Sequence, residues 1–386
     1  MSRRPNPVAV LGIAAALMGF GAVMTFSAAA ANTDRPIIGW AFWEYPTVRQ
    51  LVFVAGGLIG MLLTAKIPYQ FWFARRGLMA KVLFGFSICL VVAVLIPHVG
   101  VEVNGARRWL QIGPAQYGLR FQASEPMKLA LPMFLAGWMA ISADIRSFRR
   151  GFLPAVCAMV VCAGLVGKED FGTAALLIVV GGAMLLFGGA RLWHLLLLVA
   201  PVVPLFGLLL MSRSNRLDRL LTFLNIWKDP EGSGYQPIQS LCTIASGGWA
   251  GRGLGQGFVK GFLPEARNDF IFAVICEELG MLGAMTIIAL LIALLWQGLK
   301  TVASCPDPAG RLLAFGIAFT LGFQATMNIA VVTVSVPTKG ISLPMVSAGG
   351  SGAIFLGMLV GTLASVANGT VRALDRRPPP DLMDQQ

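Results

Sequence analysis

Four carboxylates fall within nineteen residues of an otherwise apolar chain, in FLPEARNDFIFAVICEELG beginning at Phe262: Glu265, Asp269, Glu277 and Glu278. A carboxylate at the edge of an apolar region is disfavoured as an anion, so its pKa rises toward the range useful to a general base. Asp269 meets that condition, because it stands where polar chain gives way to the run FIFAVIC, while Glu265 lies in the more solvated flank. The same position suits an ordinary helix N-cap, and residue type alone does not separate the two roles. Glu277 and Glu278 follow about 12 Å deeper on an ideal helix and point about 100° apart, so they do not both face one site. Charged groups inside an apolar span pair with something polar, and hydrogen bonding between helices is their expected role.

Cations gather on two long polar segments, 98–126 and 212–269. In VNGARRWLQIGPAQYGLRFQASEPMKLALPMFL, Arg107 and Arg108 present paired guanidiniums, a suitable bidentate grip for phosphate oxygens. Asn104-Gly105 is a turn signal and Trp109 an interfacial anchor. Ser124 is placed to cap the next helix, with Glu125 and Pro126 in its first turn. Lys128 shares a helix face with Glu125. Buried, that pair is costly unless it lines a cavity; a plain capping pair is the alternative. In the second segment, RLDRLLTFLNIW puts Leu217, Leu220, Leu221 and Leu224 on one stripe with Arg216 and Arg219 elsewhere, a helix expected along the membrane surface. A short amphipathic turn around Ile238, Leu241 and Ile244 then leads into SGGWAGRGLGQG, whose glycines permit either close approach to a ligand or simple flexibility. Lys260, Glu265, Arg267 and Asp269 follow within ten residues.

Other chemistries are poorly served. The six cysteines contain no C-x-x-C, and His98 and His194 are too few for a metal triad or a Ser-His-Asp arrangement. Any proton acceptor is therefore a carboxylate or a lysine. GRGLGQG lacks the G-K-[ST] of a phosphate loop. No cofactor is evident, and no acidic cluster compels a divalent cation, although one could assist with a diphosphate.

The elements that must position these groups are membrane helices. With 56% hydrophobic and 12% charged residues over 386 positions, the chain cannot present a water-compatible surface. Apolar runs of roughly 17 to 25 residues cross a bilayer as helices. Ten such spans are predicted, near 8–31, 48–64, 80–97, 127–142, 152–167, 173–189, 193–211, 270–297, 311–335 and 343–368. The fold class is thus all-α and polytopic, with a large outer loop between spans seven and eight. The first span has an Arg3-Arg4 flank and an FSAAAA end like a cleaved signal peptide, but its length argues for retention. With both termini inside, cytoplasmic segments hold fifteen of the thirty Lys and Arg residues and the short outer loops only four. The remaining eleven lie in or beside the two long outer segments, where topology gives no reason for them; lipid headgroups or a docked anion would. Residues 1–370 read as one domain with segments 98–126 and 212–269 as its active face. Residues 371–386, containing RALDRRPPPDLMDQQ, read as a disordered cytoplasmic tail.

The strings NGARRWL, SEPMK, FGTA, YQPIQS, SGGWAGRGLGQG, LPEARNDFIFAVICEELG and VPTKGISLPMVSAGGSG occur in an order and spacing that resemble the SEDS family (shape, elongation, division and sporulation) across roughly residues 8 to 370. NGARRWL and PTKG resemble the division-type, FtsW-like members more than the elongation-type, RodA-like ones. The resemblance implies a peptidoglycan glycosyltransferase that polymerises lipid II at the outer face of a bacterial cytoplasmic membrane during cell division, at the septum. It implies ten transmembrane helices, Asp269 as the essential acid, and Arg108 as the arginine before the Trp. It also places Glu125 and Lys128 in a cavity below the outer surface, and Gln239 and Ser240 of YQPIQS with the substrate-binding set. In that chemistry a sugar hydroxyl attacks an anomeric carbon and lipid pyrophosphate leaves, with inversion. Asp269 would take the proton; Arg107, Arg108 and Lys260 would offset charge on the diphosphate, with Glu265 nearby. The implied partners are lipid II, the growing glycan, the membrane, a class B penicillin-binding transpeptidase and other division proteins; nucleic acid is not among them.

The chain departs from the family pattern at Arg267-Asn268, where His-Thr is usual, at Ala123 for Pro, at EDFGT for PDLGT, and at SAGGSG for SYGGSS. A lipid II transporter and a catalytically weak division scaffold are the rival readings. The transporter would need a continuous path and internal symmetry, which the two halves do not display; the scaffold would tolerate the departures.

Overall fold

The structure, a computed structural model, describes residues 4–30, 46–103, 106–111, 120–142, 144–194 and 222–376, with isolated positions at 113 and between 196 and 207. Its helices are α1 (Pro7–Ala30), α2 (Pro46–Lys66), α3 (Gln70–Leu95), α4 (Glu125–Gly137), α5 (Leu153–Gly167), α6 (Phe171–Phe187), α7 (Tyr235–Gly247), α8 (Ile271–Ser304), α9 (Pro308–Val332) and α10 (Ser351–Asp375). Among the described residues seven of these, with α5 extended by the turn Phe148–Phe152, are long and apolar enough to cross a membrane, and α6 is a shorter apolar helix. α4 runs on through a wide turn at Trp138–Ser142. Nine predicted spans therefore coincide with helices, while the predicted span at 193–211 and the surface stripe at Leu217–Leu224 lie wholly or mostly outside the described residues.

Local signals set the helix ends. Asp307 caps α9 by accepting from the Gly310 amide at 3.0 Å, with Pro308 in the first position. Asp170 caps α6 through the Thr173 amide at 3.1 Å. α3 is interrupted by three left-handed residues, Arg75, Arg76 and Gly77 (φ 50°, 59° and 75°), so its apolar span starts beyond them. Small residues then allow helices to touch: a Cβ on Gly357 of α10 would run into the Gly57 carbonyl of α2.

α1 is a packed member of the bundle. Leu17, Met18 and Met24 are fully buried, and Ser27 donates to Glu278 of α8. The first and last described residues share one face of the molecule, where Arg4 pairs with Asp375 at 2.9 Å.

Three expectations need correction. The last span begins at Ser351, not 343; residues 336–350 form an irregular segment whose Leu343 and Val346 are buried. Hydropathy cannot distinguish such a segment from a helix, because both bury apolar side chains. Asn328 and Gln324 of α9 supply hydrogen bonds to its Ile341 and Ser342 carbonyls at 2.7 and 2.9 Å, which makes non-helical backbone tolerable there. The outer segment after α3 carries a small antiparallel sheet, β1 (Gly100–Val103), β2 (Ala106–Gln111) and β3 (Arg120–Gln122), so the all-α description holds for the membrane part only. Val103 pairs with Ala106, while the turn signal Asn104-Gly105 itself lies outside the described residues. Finally, α10 continues to Asp375, so the expected tail starts later than 371; residues from 377 lie outside the described residues.

Candidate active site

Asp269 stands at the head of α8, at the opposite end from Gln297, whose side chain accepts from the Asn6 amide at 3.3 Å. The turn before it is set by Glu265, whose left-handed backbone (φ 55°) lets its carbonyl accept from the Asn268 amide at 3.0 Å and the Phe270 amide at 3.3 Å. The Glu265 carboxylate binds the Asn268 side chain at 2.6 Å and is otherwise exposed. Phe270 occupies the N-cap of α8 with no side-chain cap, so Asp269 is not the capping residue. Its backbone carbonyl is fixed by the Asn328 side chain at 2.7 Å, and Asn328 is fully buried in α9. Its half-buried carboxylate lies 3.0 Å from where a Cβ on Gly340 would sit, so only glycine leaves that space open. The neighbouring Lys339 lies over the Phe171 ring, 4.2 Å from its centre.

The Gly340 segment leads to a second group of polar residues. Its carbonyl lies 3.7 Å from the Cβ position of Gly172, beside Asp170. Asp170 is buried, and one carboxylate oxygen accepts from the Thr173 hydroxyl at 2.9 Å and the Gln122 side chain at 3.1 Å. Arg107, Arg108, Ser124, Glu169 and Asp170 line a narrow crevice of about 20 Å³ with apolar walls from α3 and α5. The Arg108 Nε is buried there without a hydrogen-bond partner, a donor available to an incoming acceptor. Arg107 donates through its amide to Glu169 at 3.0 Å and pairs through Nε with exposed Glu102 at 3.3 Å.

Glu125 and Lys128 form a buried ion pair at 2.7 Å, with 6% and 7% of their side-chain surfaces exposed. The second Glu125 oxygen has no hydrogen-bond partner, and its carboxyl carbon lies 3.2 Å from the Cβ position of Gly352. The buried pair, not the capping pair, is what the chain builds. Ser124 does not cap α4 and instead accepts from the Gln122 side chain at 3.2 Å.

Several expected site residues serve the scaffold. Lys260 is 3% exposed, and its ammonium is held by Glu278 and by the Ser27 carbonyl at 3.0 Å, so it cannot reach a substrate diphosphate. Glu277 accepts from the amides of Phe258, Val259 and Lys260 at 2.9, 2.8 and 3.0 Å. Both acids are structural, Glu278 bonding to helix α1 and Glu277 to the loop. Ser240 is fully buried and donates to the Val332 carbonyl at 2.7 Å, tying α7 to α9, while Gln239 is half-buried on α7. The glycine-dense loop approaches backbone and no ligand pocket: Gly251 (φ 78°) presses on the Glu278 carbonyl, where any Cβ would collide. Residues 271–278 of α8 are buried on all sides, so protein and not lipid surrounds the helix next to Asp269.

Asn328 and Asp170 escaped the sequence reading. An amide in the middle of an apolar span, and an acid directly before FGTA, were the signals available for them. Among the described residues no three of His, Cys, Asp or Glu converge as a metal site requires.

A bundle of membrane-crossing helices, with a carboxylate, guanidiniums and a buried Glu-Lys pair gathered at one end, defines a polytopic membrane protein with a polar site on one face. The chain belongs to the cell cycle protein family of FtsW, RodA and SpoVE, whose profile matches residues 8–371. It is 37% identical over 367 residues to the probable peptidoglycan glycosyltransferase FtsW of Thioalkalivibrio sulfidiphilus, covering 93% of this chain and 88% of that one. It is 38% identical over 355 residues to stage V sporulation protein E of Bacillus subtilis, covering 91% and 94%. Among solved structures it resembles a chain described under structural coordination of polymerization and crosslinking by a peptidoglycan synthase complex, with TM-score 0.71, 28% identity and coverage of 94% and 97%. The rod shape determining protein RodA of Thermus thermophilus gives TM-score 0.65 at 27% identity, covering 93% and 95%.

Proposed function

We propose that this protein is a peptidoglycan glycosyltransferase that polymerises lipid II, with Asp269 as the general base. The hydroxyl of one sugar attacks the anomeric carbon of another; its proton passes to the Asp269 carboxylate, and the carbon–oxygen bond to the lipid diphosphate breaks as the new glycosidic bond forms. A single displacement converts an α-linked diphosphate into a β-linked glycan. Arg108, which lines the crevice and whose buried Nε has no hydrogen-bond partner, is suited to hydrogen-bond substrate oxygens. The observation that carries this reading is Asp269 itself: a half-buried acid with no capping duty, its backbone pinned by Asn328 and its carboxylate set against a glycine. The names of the relatives support the same chemistry.

The protein works in the bacterial cytoplasmic membrane with both termini in the cytoplasm and the Asp269 face outside, alongside a single-anchor class B transpeptidase at the division septum. The excess of Lys and Arg in the inner segments supports that orientation. Purified protein given fluorescent lipid II tests the activity. Wild type is expected to form polymer and Asp269→Asn to lose at least a hundredfold in rate. Unchanged polymer in the variant removes the mechanism, and transbilayer movement of lipid II without polymer makes the protein a transporter.

A further inference from the structure

The glycine loop between α7 and α8 carries large apolar side chains that the described residues leave open, on a backbone that is closely held. Trp249 is 75% exposed and Leu254 54%. The amides of Gly251, Arg252 and Gly253 each donate at 2.9 Å, to the carbonyls of Gly247, Glu277 and Glu278, and the Gly255 amide donates to the Ser27 hydroxyl at 3.1 Å. The Gly248 and Trp249 carbonyls accept from the Met281 and Leu282 amides at 3.0 and 3.3 Å. Water would satisfy such groups without help from the chain; hydrocarbon cannot, so irregular backbone at membrane depth must find its partners in protein.

The neighbouring helices fix the depth of the loop. α1 and α8 run antiparallel, since Asn6 meets Gln297 at one end and Ser27 meets Glu278 at the other. Four residues further in, Val23 is level with Leu282. Val23 and Phe26 on α1, and Met281 and Leu282 on α8, are all exposed, on helices long and apolar enough to cross a membrane. With 24 residues α1 is about 36 Å long against about 30 Å of hydrocarbon, which puts Ser27 near the edge of that layer. The loop thus lies between two lipid-facing surfaces and continues both. Its only charged residue, Arg252, is exposed, and an arginine reaches headgroup phosphates from that depth while its stem stays among acyl chains. We infer that the loop Gly248–Gly257 is a membrane anchor, with Trp249 and Leu254 inserted at the boundary of headgroups and acyl chains and Arg252 on the phosphates. A loop with one charge and few open backbone groups suits a lipid surface better than a polar protein partner. The anchor does not depend on the glycosyltransferase reading. Held by the Glu277 and Glu278 carbonyls, it ties the bilayer surface to the part of α8 that leads from Asp269.

The test is tryptophan fluorescence of the full-length protein in phosphatidylcholine nanodiscs containing brominated lipid. The chain has nine tryptophans, so the Trp249 signal is read as wild type minus Trp249→Phe. Lipid brominated near the headgroup end of its acyl chains is expected to quench that signal about twofold more than lipid brominated near the tail, and aqueous acrylamide to quench it weakly. Leu254→Trp adds a second reporter with the same expected order, and it carries the test alone should Trp249→Phe unfold. Arg252→Glu is expected to reduce the shallow quenching of the Leu254→Trp reporter by about half, because an anion is repelled by the phosphates; unchanged quenching there removes the headgroup contact. Reporters reached by acrylamide and not by brominated lipid overturn the anchor. Reporters reached by neither overturn it as well, and make the loop a contact between copies of the chain.

Discussion

The Glu125–Lys128 pair shows how much one buried charge demands of its neighbour. Each ion is cut off from water, and each is tolerable only because the other lies 2.7 Å away. Glu125→Ala is expected to lower stability by about 3–5 kcal/mol, because Lys128 is left charged and alone. The double variant Glu125→Gln/Lys128→Met should recover most of that in thermal unfolding yet remain inactive in polymerisation. If the single variant costs less than about 1 kcal/mol, the pair is solvated and the description of it as buried is wrong. At this scale charge standing against an apolar background did mark groups that the fold shields from water, half-buried Asp269 and the buried pair of Glu125 and Lys128. It misled at Lys260, because a lysine near an acid in the sequence looks the same whether it faces substrate or a buried partner. Only the fold brings Glu278 and Ser27 to it.

α8 carries the clearest element-level device. Gly280 breaks the helix with φ 67°; the freed Glu278 carbonyl accepts from the Gly253 amide at 2.9 Å, and the freed Met281 amide donates to the Gly248 carbonyl at 3.0 Å. Gly251 and Gly255 both have left-handed backbones, but a Cβ would meet a neighbour only at Gly251, where it runs into the Glu278 carbonyl; a Cβ on Gly255 would point into open space. Gly255→Ala should therefore cost about 1–3 kcal/mol of backbone strain and Gly251→Ala distinctly more, read as melting temperature. Equal losses would show that the loop does not depend on close approach to α8. The glycine run was visible in the sequence, but its target was not, since spacing reports conformational freedom and says nothing of what comes near. The same limit hid the start of α10, where a buried loop and a helix have equal hydropathy.

For the molecule as a whole, hydropathy placed nine helices because each is a sustained apolar run, and among the described residues seven of them are long enough to cross a hydrocarbon layer. What it could not supply was depth. Side chains of α8 first turn fully outward at Met281 and Leu282, after roughly 15 Å of helix enclosed by protein. The polarity around Asp269 is then a property of the fold and not of the surrounding bilayer. Reconstitution in membranes of short and long acyl chains should change the amount of folded protein but leave the pH profile of turnover in place. A profile that moves with chain length would mean lipid reaches the acid. With its own walls around the reacting groups, the protein carries its solvent with it, and the same chemistry can proceed in membranes that differ in thickness from one part of the cell to another.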